Sequence, residues 1–211
     1  MTTTTPAPHP PPALSRVGAL VDQRLTDLQN RFFHPHRQDP TAVAAFARLR
    51  RGAGKAPGDL LDILEYTTVP WPVRTDEPSP QEWAVHVAMT LHAVHQQSGA
   101  SRAHSRNGGD VGAALRRLHP GQSQDIPDPL LRRFRMLGTA DSFGELVHHL
   151  RGAVQLLRAG GQALDHGLLA DHLVRWRTDP SSVQLAWGRS FFRTRRDTPT
   201  PTADSPDSPK D

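Results

Sequence analysis

Apolar residues return at every third or fourth position along most of this chain. Leu14, Val17, Val21, Leu25, Leu28 and Phe32 share one stripe, which predicts a first helix of about five turns. Asp39-Pro40 reads as an N-cap with proline in the first turn, opening a helix with Val43, Phe46 and Leu49 inward. Leu60, Leu61, Ile63 and Leu64 predict a short helix, and Pro70-Trp71-Pro72 an extended segment. Ser79-Pro80-Gln81-Glu82 is a capping-box pattern. The helix it starts carries Trp83, Val85, Val87, Met89, Leu91 and Val94 around most of its circumference, so it is expected to be central and buried.

A polar loop over 98–109 holds Arg102, His104 and Arg106. Beyond it, Asp110 caps a helix with Val111, Ala114, Leu115 and Leu118, and Asp128-Pro129 opens one with Leu130, Leu131, Phe134 and Leu137. A second capping-box pattern, Ser142 to Glu145, starts a helix with Phe143, Leu146, Val147, Leu150, Val154 and Leu157, ending at Gly160-Gly161. Leu168, Leu169, Leu173, Val174 and Trp176 mark the next. Asp179-Pro180 caps the last, with Val183, Leu185, Trp187 and Phe191. No segment alternates with a period of two. The expected fold is all-α, a compact bundle of eight to nine helices over 14–196, with a division into two helical lobes at the loop 98–109 as the alternative. The Thr/Pro-rich arm 1–13 and the Pro/Ser/Asp tail 197–211 lack apolar periodicity and are expected to be disordered.

Composition removes several chemistries. With no cysteine there is no disulfide, zinc-thiolate site or thiol nucleophile. No apolar run approaches the roughly 18 residues of a membrane span, and the N-terminal arm has no secretory-signal pattern, so a cytoplasmic location is expected. The net charge is +4, and the tail's own −3 leaves +7 on the rest. All cations but Lys55 and Lys210 are arginines. Base composition of the coding sequence accounts for such a preference, and so does bidentate phosphate recognition.

The sharpest local signal is Phe46 to Lys55, where Arg48, Arg50, Arg51 and Lys55 crowd a helix end followed by glycines. That is chemistry suited to phosphate, not to proton transfer. Helical geometry turns Arg48 and Arg51 outward and sets Arg50 beside the core. It turns Arg116 and Arg117 outward on their helix, puts Arg132 opposite the core, and sets Arg133 and Arg135 on its flanks. Gly52-Ala53-Gly54-Lys55 is not a nucleotide P-loop, since a helix precedes it and Ala56 follows the lysine. Among the histidines, His92 and His95 lie about 60° apart on one helix and His86 about 120° beyond, which does not make one ligand face. They read as core-edge histidines without metal. Trp83, Trp176, Trp187 and Phe191-Phe192 read as core.

Three segments together resemble one family: Phe46 to Gly52 with Gly54-Lys55, Asp141 to Arg151, and Leu173-Val174-Arg175-Trp176 followed by Trp187 to Phe192. Their order and spacing resemble the CasB small subunit of the type I-E CRISPR surveillance complex, Cascade, over residues 14–193. Ala186 and Ser190 depart from the family, whose members often carry a basic and an acidic residue there. The resemblance implies a non-catalytic all-α protein with no cofactor, no small-molecule substrate and no membrane contact. Two copies would lie head to tail beside the other Cascade subunits. Their basic surface would stabilise the R-loop by contacting guide RNA, target DNA and the displaced strand. The expected contacts are Arg48, Arg50, Arg51, Lys55, Arg116, Arg117, Arg132, Arg133 and Arg135, gripping backbone without reading bases. A helix-turn-helix regulator, with a turn at Gly138, and a metal-dependent hydrolase are the alternatives.

Overall fold

The computed structural model describes residues 10–36, 38–74, 76–97, 99–119 and 125–193. The arm and tail expected to be disordered lie outside them, apart from residues 10–13. Among the described residues the fold is all-α, with helices α1 (Arg16–Phe32), α2 (Pro40–Gly52), α3 (Leu64–Thr67), α4 (Pro80–Gln96), α5 (Val111–Arg116), α6 (Asp128–Gly138), α7 (Phe143–Ala159), α8 (His166–Trp176) and α9 (Pro180–Phe192). A 3-10 turn, Leu61–Ile63, leads into α3, and another, Arg106–Gly108, precedes α5.

Helix α4 is the axis of the molecule. From Ala84 to Gln96 every residue is buried, because α1, α2, α3, α7 and α8 all pack on it. Its start is fixed by both halves of a capping box: Glu82 N donates to Ser79 Oγ at 3.2 Å, and Ser79 N donates to Glu82 Oε2 at 2.8 Å. Helices α1 and α8 approach closely at Gly18, where Asp171 of α8 accepts from the N–H groups of Ser15 and Gly18, each at 2.8 Å. A Cβ at Gly18 would stand 2.6 Å from that carboxylate, so one helix supplies the N-terminal cap of another only because position 18 has no side chain. Helices α5 and α9 meet as closely at Gly112.

Three local expectations are corrected. Val43 is 39% exposed, and α2 instead buries Ala42, Ala45, Phe46 and Leu49. Its small alanines let α2 roll toward α4. In α7 the capping box is half made: Glu145 N donates to Ser142 Oγ, but the Glu145 carboxylate reaches past Ser142 to the N–H of Asp141 at 2.9 Å. Helix α6 starts at Asp128 itself, with Pro127 before it. The loop after α4 is more structured than its polarity suggests. Ala103 O accepts from Leu164 N at 3.0 Å and Leu164 O from Ser105 N at 3.3 Å, a two-residue parallel bridge that ties the loop to the start of α8.

Candidate nucleic-acid interface

The end of α2 sets out its cations as the helical wheel required, and then the next segment intervenes. Arg51 is hydrogen-bonded to Asp62, and Arg48 lies 3.4 Å from Glu65. Both carboxylates come from the 3-10 turn and α3, which fold back across the outer face of α2. The pairs are exposed, so they add little stability, but each offsets one cation. Arg50 and Lys55 have no carboxylate partner among the described residues, and Lys55 is exposed in the loop where Gly54 takes a left-handed φ of 89°.

The α5 pair differs from its outward placement. Arg117 is half-buried and donates to the carbonyls of Gly108 and Ala163, each at 2.7 Å, and to Gln162 Oε1 at 3.3 Å. Helix α5 ends at Arg116, so position 117 leaves the helical wheel and turns toward the loop joining α7 to α8. Burial holds its pKa below the ordinary arginine value. Arg116, also half-buried, bonds the carbonyl of His119. On α6, Arg132 and Arg135 are exposed, while Arg133 lies across α7 at Gly152, next in sequence to Arg151.

A cleft of about 540 Å³ opens between the α2–α3 loop, α4 and the first turns of α7. Lys55, Arg151, Arg177 and His148 supply its polar wall, Trp83 and Phe143 its aromatic surface, and among the described residues no Asp or Glu lines it. Arg151 is anchored by donating to Ala53 O at 3.1 Å, and the Arg177 guanidinium sits 5.0 Å from the centre of the Phe143 ring. Trp83 meets Phe143 edge-on at 5.9 Å. So Lys55 is brought together with Arg151 and Arg177, which were outside the expected set, and Trp83 is a cleft wall as well as a core residue. The signal for Arg151 was its place at the end of the Asp141 to Arg151 segment. Arg177 gave none, since it lies just past the end of α8.

The histidines are corrected from the core edge to the core itself. His92 and His95 are joined by His104 from the loop and His166 from α8, with ring centres 4.9 to 6.4 Å apart where the rings meet. His104 Nδ1 accepts from His166 N at 3.1 Å, so its Nε2 carries the proton and donates to Asp22 at 2.9 Å. His92 faces Gln29 Oε1, His95 donates to Gln162 O, and His166 to Leu164 O. Desolvation pushes His92 and His166 well below the ordinary histidine pKa and His95 down to about 4. Among the described residues no three His, Asp or Glu side chains are placed to hold one metal ion.

The profile of the family described as CRISPR-associated protein Cse2 matches residues 45–192, from the middle of α2 to the end of α9. The chain belongs to the Cse2 family. Its structure is similar to that of CasB from Thermobifida fusca, at 42% identity and a TM-score of 0.70, with 86% of this chain and 100% of that one covered. CasB from Thermus thermophilus shares the fold at 23% identity and a TM-score of 0.61, over 83% and 97% of the two chains. CasB from M. ruber shares it at 23% identity and a TM-score of 0.54, over 81% and 93%. No curated protein matches. Family membership supports the role of a structural Cascade subunit. The Cse2 match contains every cation of the cleft, and Ser190, one of the two departures, has a structural duty: its hydroxyl bonds Asp110, the cap of α5, at 2.5 Å. Among the described residues no helix is long and apolar enough to cross a membrane.

Proposed function

We propose that this protein is a non-catalytic small subunit of a type I-E Cascade complex in the cytoplasm, gripping the displaced DNA strand and the guide–target region to stabilise the R-loop. It does so beside the other subunits and a second copy of itself. The observation that carries this reading is the wall of Lys55, Arg151 and Arg177, free of carboxylates among the described residues, with Arg133 laid across α7 at Gly152 and Arg132 and Arg135 exposed on α6. Guanidinium and ammonium groups held on helix surfaces suit phosphates at any sequence, and they do not present the recognition helix that base reading in a major groove requires. R-loop exchange is nearly balanced in energy, so a few phosphate contacts tip it.

Lys55→Glu and Arg132→Glu are expected to weaken binding of single-stranded DNA about equally on unrelated sequences. Each is expected to flatten the dependence of log K on log salt by roughly one contact's worth. Arg48→Glu and Arg51→Glu are expected to do less, since those cations are already matched by Glu65 and Asp62. Fluorescence anisotropy across a salt series reads both effects. Slopes unchanged by Lys55→Glu and Arg132→Glu would remove these residues from the interface.

A further inference from the structure

We propose that the cleft between α2, α4 and α7 takes one unstacked nucleotide of a single strand, its phosphate on Lys55 and Arg151 and its base against Trp83 and Phe143. This deepens the backbone-binding reading and rests on it. A surface that only neutralises phosphates needs cations and nothing concave. Here the cations rim a hollow of about 540 Å³ whose other wall is aromatic, within the size range of small-ligand sites. Both rings are only half-buried. The Phe143 ring already carries one cation, the Arg177 guanidinium, in the manner in which arginine and aromatic planes hold bases in single-strand binding sites.

A second observation comes from the floor. His86 lines the cleft at 1% exposure. Its Nε2 faces Gly52 O at 3.2 Å, and a carbonyl only accepts, so Nε2 holds the ring proton. Nδ1 is then a buried lone pair with no hydrogen-bond donor among the described residues; the Lys55 backbone beside the ring acts, like Gly52 O, as an acceptor and cannot supply one. An unmatched acceptor beneath a basic, aromatic-walled hollow suits a ligand bearing N–H groups, which every nucleobase does and a bare phosphate does not. Because all four bases offer such a group, the slot holds a base without selecting one.

The α7 backbone supplies a clean way to close it. Gly144 lines the cleft, and a Cβ added there meets nothing within 4 Å. Gly144→Phe therefore sets a bulky ring at the mouth of the hollow without a clash and leaves every cation in place, and Gly144→Ala serves as the folded control. The probes are a thymidine oligonucleotide and the same backbone with abasic sites, titrated against the full chain. A 2-aminopurine at one position reports unstacking.

The intact strand is expected to bind about tenfold tighter than the abasic one, the size of one base–aromatic contact. Gly144→Phe is expected to erase that difference and leave abasic binding as it was. Equal binding of the two strands by the unaltered chain overturns the slot and leaves the backbone grip standing, whatever the variant does. Binding of neither strand overturns both readings. A poly-glutamate peptide that displaces the intact strand as well as competing oligonucleotide does would assign the hollow to an acidic chain and overturn the slot.

Discussion

Lowering the pH from 7 to 5 is expected to destabilise the fold, by about 2 kcal/mol through His95 alone and further through His92 and His166. His92, His95 and His166 are held neutral by burial, with folded pKa values below the ordinary 6.5, down to about 4 for His95. Below pH 6.5 the unfolded chain takes up protons at these positions and the folded chain does not. Stability is therefore full above pH 6.5 and falls as pH drops through the window toward 4, by about 1.4 kcal/mol per unit for each ring. His86 and His172, also lowered by burial, act in the same direction. Asp165, raised by burial, acts in the opposite one, but only nearer the carboxylate range. Even one ring's share is a sizeable fraction of the stability of an ordinary domain. Thermal unfolding across the pH series measures it, and His95→Gln is expected to flatten the curve by one ring's share. A melting temperature level between pH 7 and pH 5 would contradict the buried cluster.

Gly112→Ala is expected to cost about 3 kcal/mol and to lower the melting temperature by roughly 6–12 °C. A Cβ at this position would stand 2.0 Å from the carbonyl oxygen of Trp187 and 2.7 Å from Ser190 Oγ. The first of these is backbone and cannot swing aside, so α5 and α9 would have to separate. That separation would pull Ser190 from Asp110 and loosen the seat of Trp187, whose Nε1 donates to His172 Nδ1 at 2.8 Å. Gly188→Ala, on α9 where an added Cβ meets nothing, is the control and is expected to stabilise by about 0.5–1 kcal/mol. If both variants melt within 2 °C of the parent, the close approach is wrong.

Most helices were legible because their signals are local. Asp39-Pro40, Ser79 with Glu82, Asp110, and Asp179-Pro180 start helices within one or two residues of where the pattern put them. What escaped depends on residues far apart in the chain. Nothing in α2 announces that Asp62 and Glu65 fold back onto Arg51 and Arg48. Nothing in the His92-x-x-His95 spacing announces His104 and His166. Arg177 and Phe143 are 34 positions apart, and only the packing of α7 against the end of α8 lays one on the other. The cleft is a tertiary object, and the sequence showed only Lys55 at its rim and Arg151 as the end of the Asp141 to Arg151 segment.

Several arginines act as joinery. Arg24 clips the carbonyls of Tyr66 and Thr68 at 2.9 and 2.7 Å, Arg106 spans buried Asp165 and Pro12 O, and Arg117 spreads over three acceptors. A planar fork with five donors does this; the single ammonium of lysine does not. A recoded version with lysine at 24, 106 and 117 would keep its net charge at neutral pH and lose its fasteners. Net charge is thus a poor gauge of how many positive groups this protein can offer to a polyanion.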